Sequence, residues 1–198
     1  MIKRIKKEIR ILGIDDGPFQ KGEKECLVVG TIYRGGSYID GVLSCYVSID
    51  GNDATKKIIE LIKKTRHLGQ LRCIMLKGIS FGGFNVVDIK KIRKEINLPV
   101  IVFMRKKPNL KEIFEALRKA GKSKEEIKEK ENLIKKAGKI FSTKIKNKII
   151  YFQISGISRK KAAEIIKIAS THGIVPEPLR VAHMIAQGVI LGESRGKA

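Results

Sequence analysis

The sequence predicts an α/β domain built on a mixed β-sheet, an antiparallel three-strand meander continued by parallel strands, with helices on its faces. The first 50 residues hold three extended segments separated by turn residues, which is typical of a meander. The hydrophobic period then alternates between helical and strand spacing, which is typical of parallel strands joined by crossover helices. A chain of 198 residues can bury one substantial core, so we expect a single domain over residues 1–198.

The meander is predicted from apolar runs and from the glycines between them. The first run, IRILGI, ends at two adjacent aspartates, and a polar turn that contains glycine separates it from the second run. Gly35 and Gly36 stand between the second and third runs, which favours a hairpin. The three predicted strands cover residues 9–14, 25–36 and 37–50.

The next part of the chain predicts alternating helices and strands. Isoleucine and leucine recur at helical spacing over a lysine-covered face in the first predicted helix, which Asn52 or Asp53 can cap. Short apolar runs of strand length follow each helix, so we expect a parallel crossover arrangement. The predicted helices cover residues 53–65 and 86–96, and the predicted strands cover residues 71–78 and 98–104.

Pro108 marks a boundary, after which we expect a helical and hairpin addition over about residues 109–156. Ser123 stands three residues before Glu126, which is the spacing of a capping box at the start of a helix. A hairpin that turns at residues 146–148 follows the two helices of this addition. The predicted helices cover residues 109–120, 123–137, 158–171 and 176–194, and the hairpin covers residues 139–156.

The charge balance indicates a polyanion as the partner. Lys and Arg number 42 against 20 Asp and Glu, which gives a formal net charge of +22. Nucleic acid is therefore the favoured partner, and the alternatives are an acidic lipid surface or a lysine-rich composition bias without any polyanion. No apolar run approaches the about 18 to 20 residues that cross a bilayer, so we expect a soluble protein with no membrane partner.

The three cysteines indicate a reducing compartment. Cys26, Cys45 and Cys73 are odd in number and widely spaced, which argues against both a disulfide framework and a structural zinc site. Each falls in a predicted strand, so we expect packing residues. No apolar segment of a secretory signal follows the basic N-terminus. We therefore expect a cytoplasmic protein, and the sequence leaves open whether it is a homo-oligomer.

Asp15 and Asp16 end the first predicted strand, where an unpaired buried carboxylate would cost several kcal/mol. Such a pair belongs near solvent or a metal ion. Neighbouring residues of an extended chain point to opposite faces, so only one of the two can face a shared site directly. In the alternative interpretation both are turn residues of the stretch DDGP.

Other carboxylates are predicted near the same edge of the sheet. Asp50 ends the third strand, Asp53 precedes a helix that it alternatively caps, and Asp88 is alternatively a first-turn charge of the next helix. If the first strand pairs parallel with the fourth, Asp15 and Arg105 also lie at this edge, where ligand sites of open α/β sheets gather. Carboxylates surrounded by Lys and Arg suit Mg²⁺-dependent phosphodiester chemistry, because oxygen ligands hold the metal and the cations hold phosphates.

The glycine-rich stretch GISFGGFN, residues 78–85, matches no nucleotide-binding fingerprint. We expect a flexible loop on which Phe81 and Phe84 stack on bases or, alternatively, fill the core. The last helix carries His183 about one turn beyond Arg180, so the two share a face. A lone histidine is alternatively an ordinary structural residue.

Five blocks of the sequence resemble, in the same order, the mainly archaeal family catalogued as domain of unknown function 99. They are GIDDGPF, IDGNDATKKIIELI, GISFGGFNVVDI, LPVIVFMRKKP and PEPLRVAHMIAQGVILGESRG. That family is similar to endonuclease V, which has a ribonuclease H-like fold, binds Mg²⁺ and cleaves DNA or RNA near deaminated bases. Some members of the archaeal family are described as nucleases acting at deoxyuridine. The resemblance implies a single ribonuclease H-like, endonuclease V-like domain and a repair-type endonuclease.

The resemblance also implies where the site lies. The metal-binding Asp at the end of the family's first strand falls on Asp15, with Asp16 adjacent. The family's acidic residue near the start of the helix after the third strand falls on Asp50 or Asp53. The acid or histidine of the last helix falls on His183, within RVAH.

Lys77 departs from the pattern, because endonuclease V carries an Asp-Gly where this chain has Lys-Gly. Either Asp88 supplies the missing carboxylate, or the metal binds with fewer ligands, or catalysis is lost. The implied function is a Mg²⁺- or Mn²⁺-dependent endonuclease that cleaves DNA at or near deaminated bases. The alternatives are a catalytically inactive nucleic-acid-binding protein of the same fold and an enzyme acting on small phosphorylated metabolites.

The expected site residues form three groups. The expected catalytic residues are Asp15, Asp53 and His183. The expected metal ligands are Asp15, Asp16, Asp50 and Asp88. The residues expected to contact nucleic acid are Lys77, Phe81, Phe84, Arg105 and Arg180.

Overall fold

The computed structural model describes residues 4–120 and 123–195. Within these ranges nine strands form a seven-stranded sheet and a separate two-stranded hairpin. The strands are β1 (Arg10–Asp16), β2 (Glu25–Arg34), β3 (Tyr38–Ser48), β4 (Cys73–Lys77), β5 (Ser80–Phe81), β6 (Asn85–Val86), β7 (Val100–Met104), β8 (Phe141–Ile145) and β9 (Lys148–Ser155).

Six α-helices cover the sheet in the described residues, and each corresponds to a predicted helix. They are α1 (Ala54–Lys64), α2 (Ile89–Ile96), α3 (Leu110–Lys119), α4 (Lys124–Lys136), α5 (Arg159–Ala169) and α6 (Glu177–Leu191). The prediction that the second helix begins at residue 86 is wrong by three residues. Val86 pairs in β6, and Asp88 caps α2 by accepting hydrogen bonds from two backbone N–H groups of the first turn.

The strand order of the large sheet is β3-β2-β1-β4-β7-β9-β8. Strands β1, β2 and β3 form an antiparallel meander, and β1, β4 and β7 are parallel neighbours. These pairings confirm the predicted mixed sheet. They also meet the condition, parallel pairing of the first and fourth strands, under which Asp15 and Arg105 were expected at one edge. The hairpin of β8 and β9 joins the sheet through antiparallel pairing of β9 with β7.

Side-chain alternation along β1 divides the apolar core between the two faces of the sheet. Leu12 and Ile14 pack with α1 and α2 on one face, whereas Ile11 packs with α5 and α6 on the other. By the same alternation, Asp16 points to the face of Leu12 and Ile14, and Asp15 points to the face of Ile11. The two carboxylates therefore point to opposite faces, as the alternation predicted.

All three cysteines are free thiols in strands, as predicted. Cys26 and Cys73 are buried and Cys45 is half-buried. Burial raises the pKa of the Cys26 thiol to about 12, which keeps it protonated. Nowhere in the described ranges does a helix have the length and apolar character needed to cross a membrane.

Candidate active site

The end of β1 holds a buried carboxylate. Residues 11–14 are buried apolar or glycine positions, and Asp15 follows them with a side chain that is only 4% exposed. An ionised carboxylate at this depth costs several kcal/mol unless charged or hydrogen-bonding partners surround it. The partners of Asp15 therefore define what this site can do.

Lys77 is the first of these partners. Parallel pairing of Ile14 with Leu76 places the residues that follow them side by side at the carboxyl ends of β1 and β4. The Lys77 Nζ atom lies 2.9 Å from Asp15 Oδ2 and donates a hydrogen bond to it. The lysine that replaces the expected carboxylate thus neutralises Asp15.

Helix α6 supplies the second partner, because it lies directly against β1 and β2. Gly13 permits this close approach, since a Cβ atom there would lie 2.4 Å from Pro178 Cβ. The Thr31 hydroxyl donates a hydrogen bond of 2.6 Å to the Pro178 carbonyl oxygen. Ala182 and Ala186 are fully buried, so the helix is held in a defined rotation.

That rotation brings His183 onto Asp15. The His183 Nδ1 atom lies 2.9 Å from Asp15 Oδ2, the same oxygen that Lys77 contacts. The geometry is not that of a hydrogen bond, and this buried ring nitrogen has no hydrogen-bond partner among the described residues. Buried polar atoms almost always have one, so an unsatisfied imidazole nitrogen beside a carboxylate is a candidate metal-ligand atom.

Asp16 lies on the other face, where its Oδ2 atom accepts a 2.8 Å hydrogen bond from the Gly82 backbone N–H. Burial, and then the neighbouring charge of Asp15, raise the pKa of the Asp16 carboxyl to about 6. The structure therefore does not direct the Asp16 side chain toward Lys77 and His183. Instead, the hydrogen bond between Gly82 and the Asp16 side chain connects the end of β1 to the hairpin of β5 and β6.

Asp50 and Asp53 hold the turn between β3 and α1. Asp50 Oδ1 accepts a 2.8 Å hydrogen bond from the Phe84 N–H. Asp53 accepts hydrogen bonds from the Ser48 N–H and hydroxyl and from the Asn85 side-chain amide. Burial acts against ionisation of Asp53, but these hydrogen bonds outweigh it and lower its pKa below the usual value. The contacts of both carboxylates are those of structural residues.

Asp88 is likewise engaged away from Asp15. Its Oδ1 atom caps α2, and its Oδ2 atom forms an ion pair with Lys136 of α4. Burial opposes ionisation, but the hydrogen bond from Lys136 and those from the backbone lower the pKa of Asp88. The structure does not bring the fourth predicted carboxylate to the site.

The two phenylalanines of the glycine-rich stretch lie in apolar surroundings. Phe81 is fully buried in the core between the sheet and α1, so its predicted stacking on bases is wrong. Gly82 and Gly83 have positive φ angles of 51° and 79°, which fold the stretch into the small hairpin and turn Phe81 inward. Phe84 is half-buried against Leu117 and other residues of α3 and α4.

The predicted arginines flank the site along the chain. Arg105 is exposed and directly follows β7, the next parallel strand after β4. Arg180 precedes His183 by one turn of α6 and forms an ion pair of 2.6 Å with Glu177. The hydrogen bond to Glu177 raises the pKa of Arg180, so its charge is permanent.

Lys130 is a buried structural residue that was not among the predicted site residues. Its side chain is 2% exposed on α4, and its Nζ atom donates to the Asp50 carbonyl oxygen at 2.8 Å and contacts Glu126 Oε1 at 3.1 Å. The signal was present in the sequence, because Lys130 shares a helical stripe with Ile134 and Ala137, both of which are buried.

Asp15 and His183 are the described residues best suited to hold a divalent ion. Mg²⁺ is commonly bound through one or two carboxylates while it keeps several waters, and imidazole is a common metal ligand. Residues 4–120 and 123–195 contain no group of three or more His, Cys, Asp or Glu side chains that could hold a metal ion. An ion held at this point would therefore have only these two ligands among the described residues and would keep most of its waters.

The strand order and the location of this site define the class of the protein. A mixed sheet in which the parallel strands β1, β4 and β7 continue an antiparallel meander is the fold of a ribonuclease H-like α/β protein, and Asp15 lies at the carboxyl end of the first of these parallel strands. The chain belongs to the endonuclease dU family, whose model matches residues 7–190. This membership confirms the family resemblance inferred from the sequence blocks.

Similar proteins cover nearly the whole chain. A UPF0215 protein of Methanothermobacter thermautotrophicus is 49% identical over 99% of this chain and 95% of its own length. The crystal structure of a protein of unknown function from Archaeoglobus fulgidus is 36% identical, with a TM-score of 0.81 over 92% of this chain and 98% of that chain. The Ciona intestinalis endonuclease V structure is 15% identical, with a TM-score of 0.56 over 88% of this chain and 82% of that chain, and shares the fold.

Proposed function

We propose that this chain is a metal-dependent endonuclease that hydrolyses a phosphodiester bond in DNA. The observation that carries the proposal is the convergence of Lys77 and His183 on one buried oxygen of Asp15. This convergence occurs at the carboxyl ends of parallel strands, where ligand sites of open α/β sheets gather. Membership in the endonuclease dU family supports a nuclease.

In this proposal Asp15 and His183 hold one Mg²⁺ or Mn²⁺ ion. When bound, such an ion acts as a Lewis acid on the phosphate group. Asp15 supplies the negative charge that selects a cation, and α6 holds the His183 ring against it. Lys77 supplies a fixed positive charge at the same point, which is placed to contact a phosphate oxygen as well as Asp15.

The cations around the site hold the nucleic-acid backbone. Arg105 follows β7, the strand next to β4, and Arg180 lies one turn before His183 on α6. Arg side chains bind phosphate through paired N–H groups. Arg180, whose Nε and Nη2 groups contact Glu177, contributes mainly its positive charge. The formal net charge of +22 supports a polyanionic substrate over a small phosphorylated metabolite.

The proposed substrate is DNA that contains a deaminated base, deoxyuridine or hypoxanthine, with RNA as a second candidate. The description of the family as endonuclease dU supports deoxyuridine. The Ciona intestinalis endonuclease V of the same fold was crystallised with a 24mer DNA containing an inosine. Because the base lies inside the duplex, we expect selective recognition of the damaged base to require that it is unstacked.

A cleavage assay with matched substrates tests this function. Duplexes that contain uracil, hypoxanthine or only normal bases are incubated with Mg²⁺, Mn²⁺ or EDTA. We expect nicking of a damaged duplex that requires metal and falls at least about 100-fold in Asp15→Asn, which keeps the side-chain shape. Glu164→Gln, on the exposed face of α5, is the matched control and should cleave normally. Equal nicking by wild type and Asp15→Asn would contradict the proposal.

A nucleic-acid-binding protein without cleavage is the second candidate. The Lys77 ammonium favours it, because it occupies the Asp15 oxygen that a metal ion would use. In that case every duplex stays intact with both metals, while binding to the damaged duplex persists in EDTA. The same assay, run with a binding measurement, separates the two functions.

A further inference from the structure

A strongly basic segment lies outside the candidate active site. Residues 132–176 contain ten Lys or Arg residues and one acidic residue, Glu164, which gives this segment a net charge of +9. It comprises the end of α4, the hairpin of β8 and β9, and α5. The proposed cleavage site accounts for none of these charges.

The tip of the hairpin and the end of α5 enclose a cleft of about 350 Å³. We call it the tip cleft; its lining residues are Lys144, Ile145, Lys146, Asn147, Lys167 and Ser170. The three lysines are exposed, and among the described residues no ion pair joins a carboxylate to any of them. Three uncompensated ammonium groups around one concave surface attract an anion.

The tip cleft has a defined shape because its walls are anchored. Ile145 is buried in the core under α5, and Lys146 and Asn147 form the turn with positive φ angles of 44° and 64°. The Lys146 ammonium donates a hydrogen bond to the Thr171 carbonyl oxygen. A carbonyl oxygen carries no formal charge, so this contact orients Lys146 without pairing it with a carboxylate.

The tip cleft lies at the end of β1 opposite to Asp15. The Thr171 hydroxyl donates a 2.9 Å hydrogen bond to the carbonyl oxygen of Gly36. The residue before Gly36 donates its N–H to the carbonyl oxygen of Ile9, directly before β1. Asp15 stands six residues after Ile9, so at about 3.3 Å per residue of strand Ile9 and Asp15 are on the order of 20 Å apart, and the tip cleft lies at least about that far from Asp15.

We propose that the tip cleft binds the phosphate backbone of duplex DNA at a distance from the cleavage site. Lysine binds phosphate as a point charge with little sequence preference, so this contact positions the duplex and does not read bases. About 20 Å corresponds to roughly six base steps of 3.4 Å, so one duplex can span both sites. The inference rests on the proposed function only in taking DNA as the ligand.

The test measures DNA binding without cleavage. Affinity of the full chain for a 30-base-pair duplex of normal bases is measured in EDTA across a range of salt concentrations. Each lysine that releases a counterion contributes about 0.9 to the slope of log K against log salt. The triple variant K144A/K146A/K167A should therefore lower the slope by about 2 to 3 and weaken binding at least about tenfold at low salt.

The matched control is K90A/K91A/K94A, which removes the same charge from exposed positions of α2. For this control variant, the slope of log K against log salt should stay close to that of wild type. Equal slopes for the two triple variants would show an effect of net charge alone and overturn the proposal. The variant K144E/K167E keeps the contact of Lys146 with Thr171, so it separates lost binding from a disturbed hairpin, and it should weaken binding at least as much.

The outcome is independent of the cleavage proposal. A reduced slope in the K144A/K146A/K167A variant, together with no nicking of uracil duplexes by wild type, supports the tip cleft and contradicts the endonuclease. Nicking with an unchanged slope supports the endonuclease and contradicts the tip cleft. Wild-type binding to phosphatidylserine vesicles but not to the duplex also overturns the inference.

Discussion

Lys77 and Asp15 form an ion pair between neighbouring parallel strands, with 2.9 Å between Nζ and Oδ2. The carboxylate is 4% exposed and the lysine side chain 21%, so the negative partner is the more desolvated of the two. Removal of the lysine leaves a buried charge without its compensation, which costs more than the pair contributes. The ion pair therefore stabilises the folded protein in the absence of a metal ion, and it is also part of the proposed site.

Lys77→Met tests this support. Methionine keeps the apolar stem but not the charge, so we expect the free energy of unfolding in EDTA at pH 7.5 to fall by about 2 to 3 kcal/mol. Urea denaturation measures the change. In the double variant with Asp15→Asn, about 1 to 2 kcal/mol of this loss should be recovered relative to additivity. Strictly additive losses would mean that the two residues do not interact.

Lys77→Asp tests whether the lysine limits metal binding. A second carboxylate beside Asp15 adds repulsion without metal and attraction for a divalent cation. We expect Mg²⁺ to raise the melting temperature of this variant by several degrees more than that of wild type, since a ligand stabilises the state that binds it. Lys94→Asp on α2 is the control. If Mg²⁺ raised the melting temperatures of both variants equally, residue 77 would not be part of a metal site.

His183→Ala should reduce cleavage without disturbing the fold. Loss of a metal-binding or proton-transferring side chain costs about 10²-fold or more in rate. The helix remains anchored by buried Ala182 and by the hydrogen bond from Thr31 to Pro178, so the melting temperature should change little. Single-turnover rates and thermal unfolding, measured on one preparation, separate the two effects. A drop in melting temperature as large as that of a core variant would assign His183 a structural role.

The local part of this fold could be predicted because each element has its own signal. Hydrophobic period and turn glycines identified every α-helix and the seven strands of the large sheet, but not the small hairpin of β5 and β6, which was expected to be a flexible loop. The position of the hairpin at the sheet edge could not be predicted in the same way. It depends on the pairing of β7 with β9, for example of Phe103 with Phe152. These residues are distant in the chain, and no local sequence pattern indicates that they pair.

The site could be predicted only in part, for a related reason. Asp15 was identifiable from its position at a strand end, whereas its contact with His183 depends on how closely α6 approaches β1. The other four candidate carboxylates had similar signals. Contacts with distant elements, such as Asn85 of β6 for Asp53 and a lysine of α4 for Asp88, decide that they are structural. Such contacts follow from tertiary packing, so the sequence pattern does not contain them.

Asp16 makes stability depend on pH. Burial and the charge of Asp15 raise its pKa from 3.8 to about 6 in the folded protein. Between these values the folded protein binds more protons than the unfolded chain, so the free energy of unfolding falls as pH rises from about 4 to about 6. The full linkage is about 3 kcal/mol, and because the carboxyl is partly exposed we expect about 1 to 2 kcal/mol.

Asp16→Asn isolates this contribution, because an amide oxygen still accepts the Gly82 hydrogen bond. In EDTA the variant and wild type should be equally stable near pH 4, and the variant should be more stable by about 1 to 2 kcal/mol at pH 7.5. Urea denaturation at several pH values measures the difference. A stability gap that does not vary with pH would contradict the raised pKa.

Gly13→Ala tests the contact that places His183. The new Cβ atom would lie 2.4 Å from Pro178 Cβ and 2.5 Å from the Pro178 carbonyl carbon, so α6 must move away from β1. Overpacking of this kind costs about 1 to 3 kcal/mol, and displacement of α6 separates the imidazole from Asp15. Cleavage measured well below the melting temperature should therefore fall together with stability.

Gly188→Ala is the matched control for this prediction, because Gly188 lies on the same helix and a Cβ atom there meets no heavy atom within 4 Å. Alanine within a helix is favoured over glycine by about 0.5 to 1 kcal/mol, so this variant should be slightly more stable than wild type and equally active. Normal cleavage by folded Gly13→Ala would show that the site does not depend on the close approach of α6 to β1. Loss of activity in both variants would instead assign the effect to α6 as a whole and not to its contact with β1.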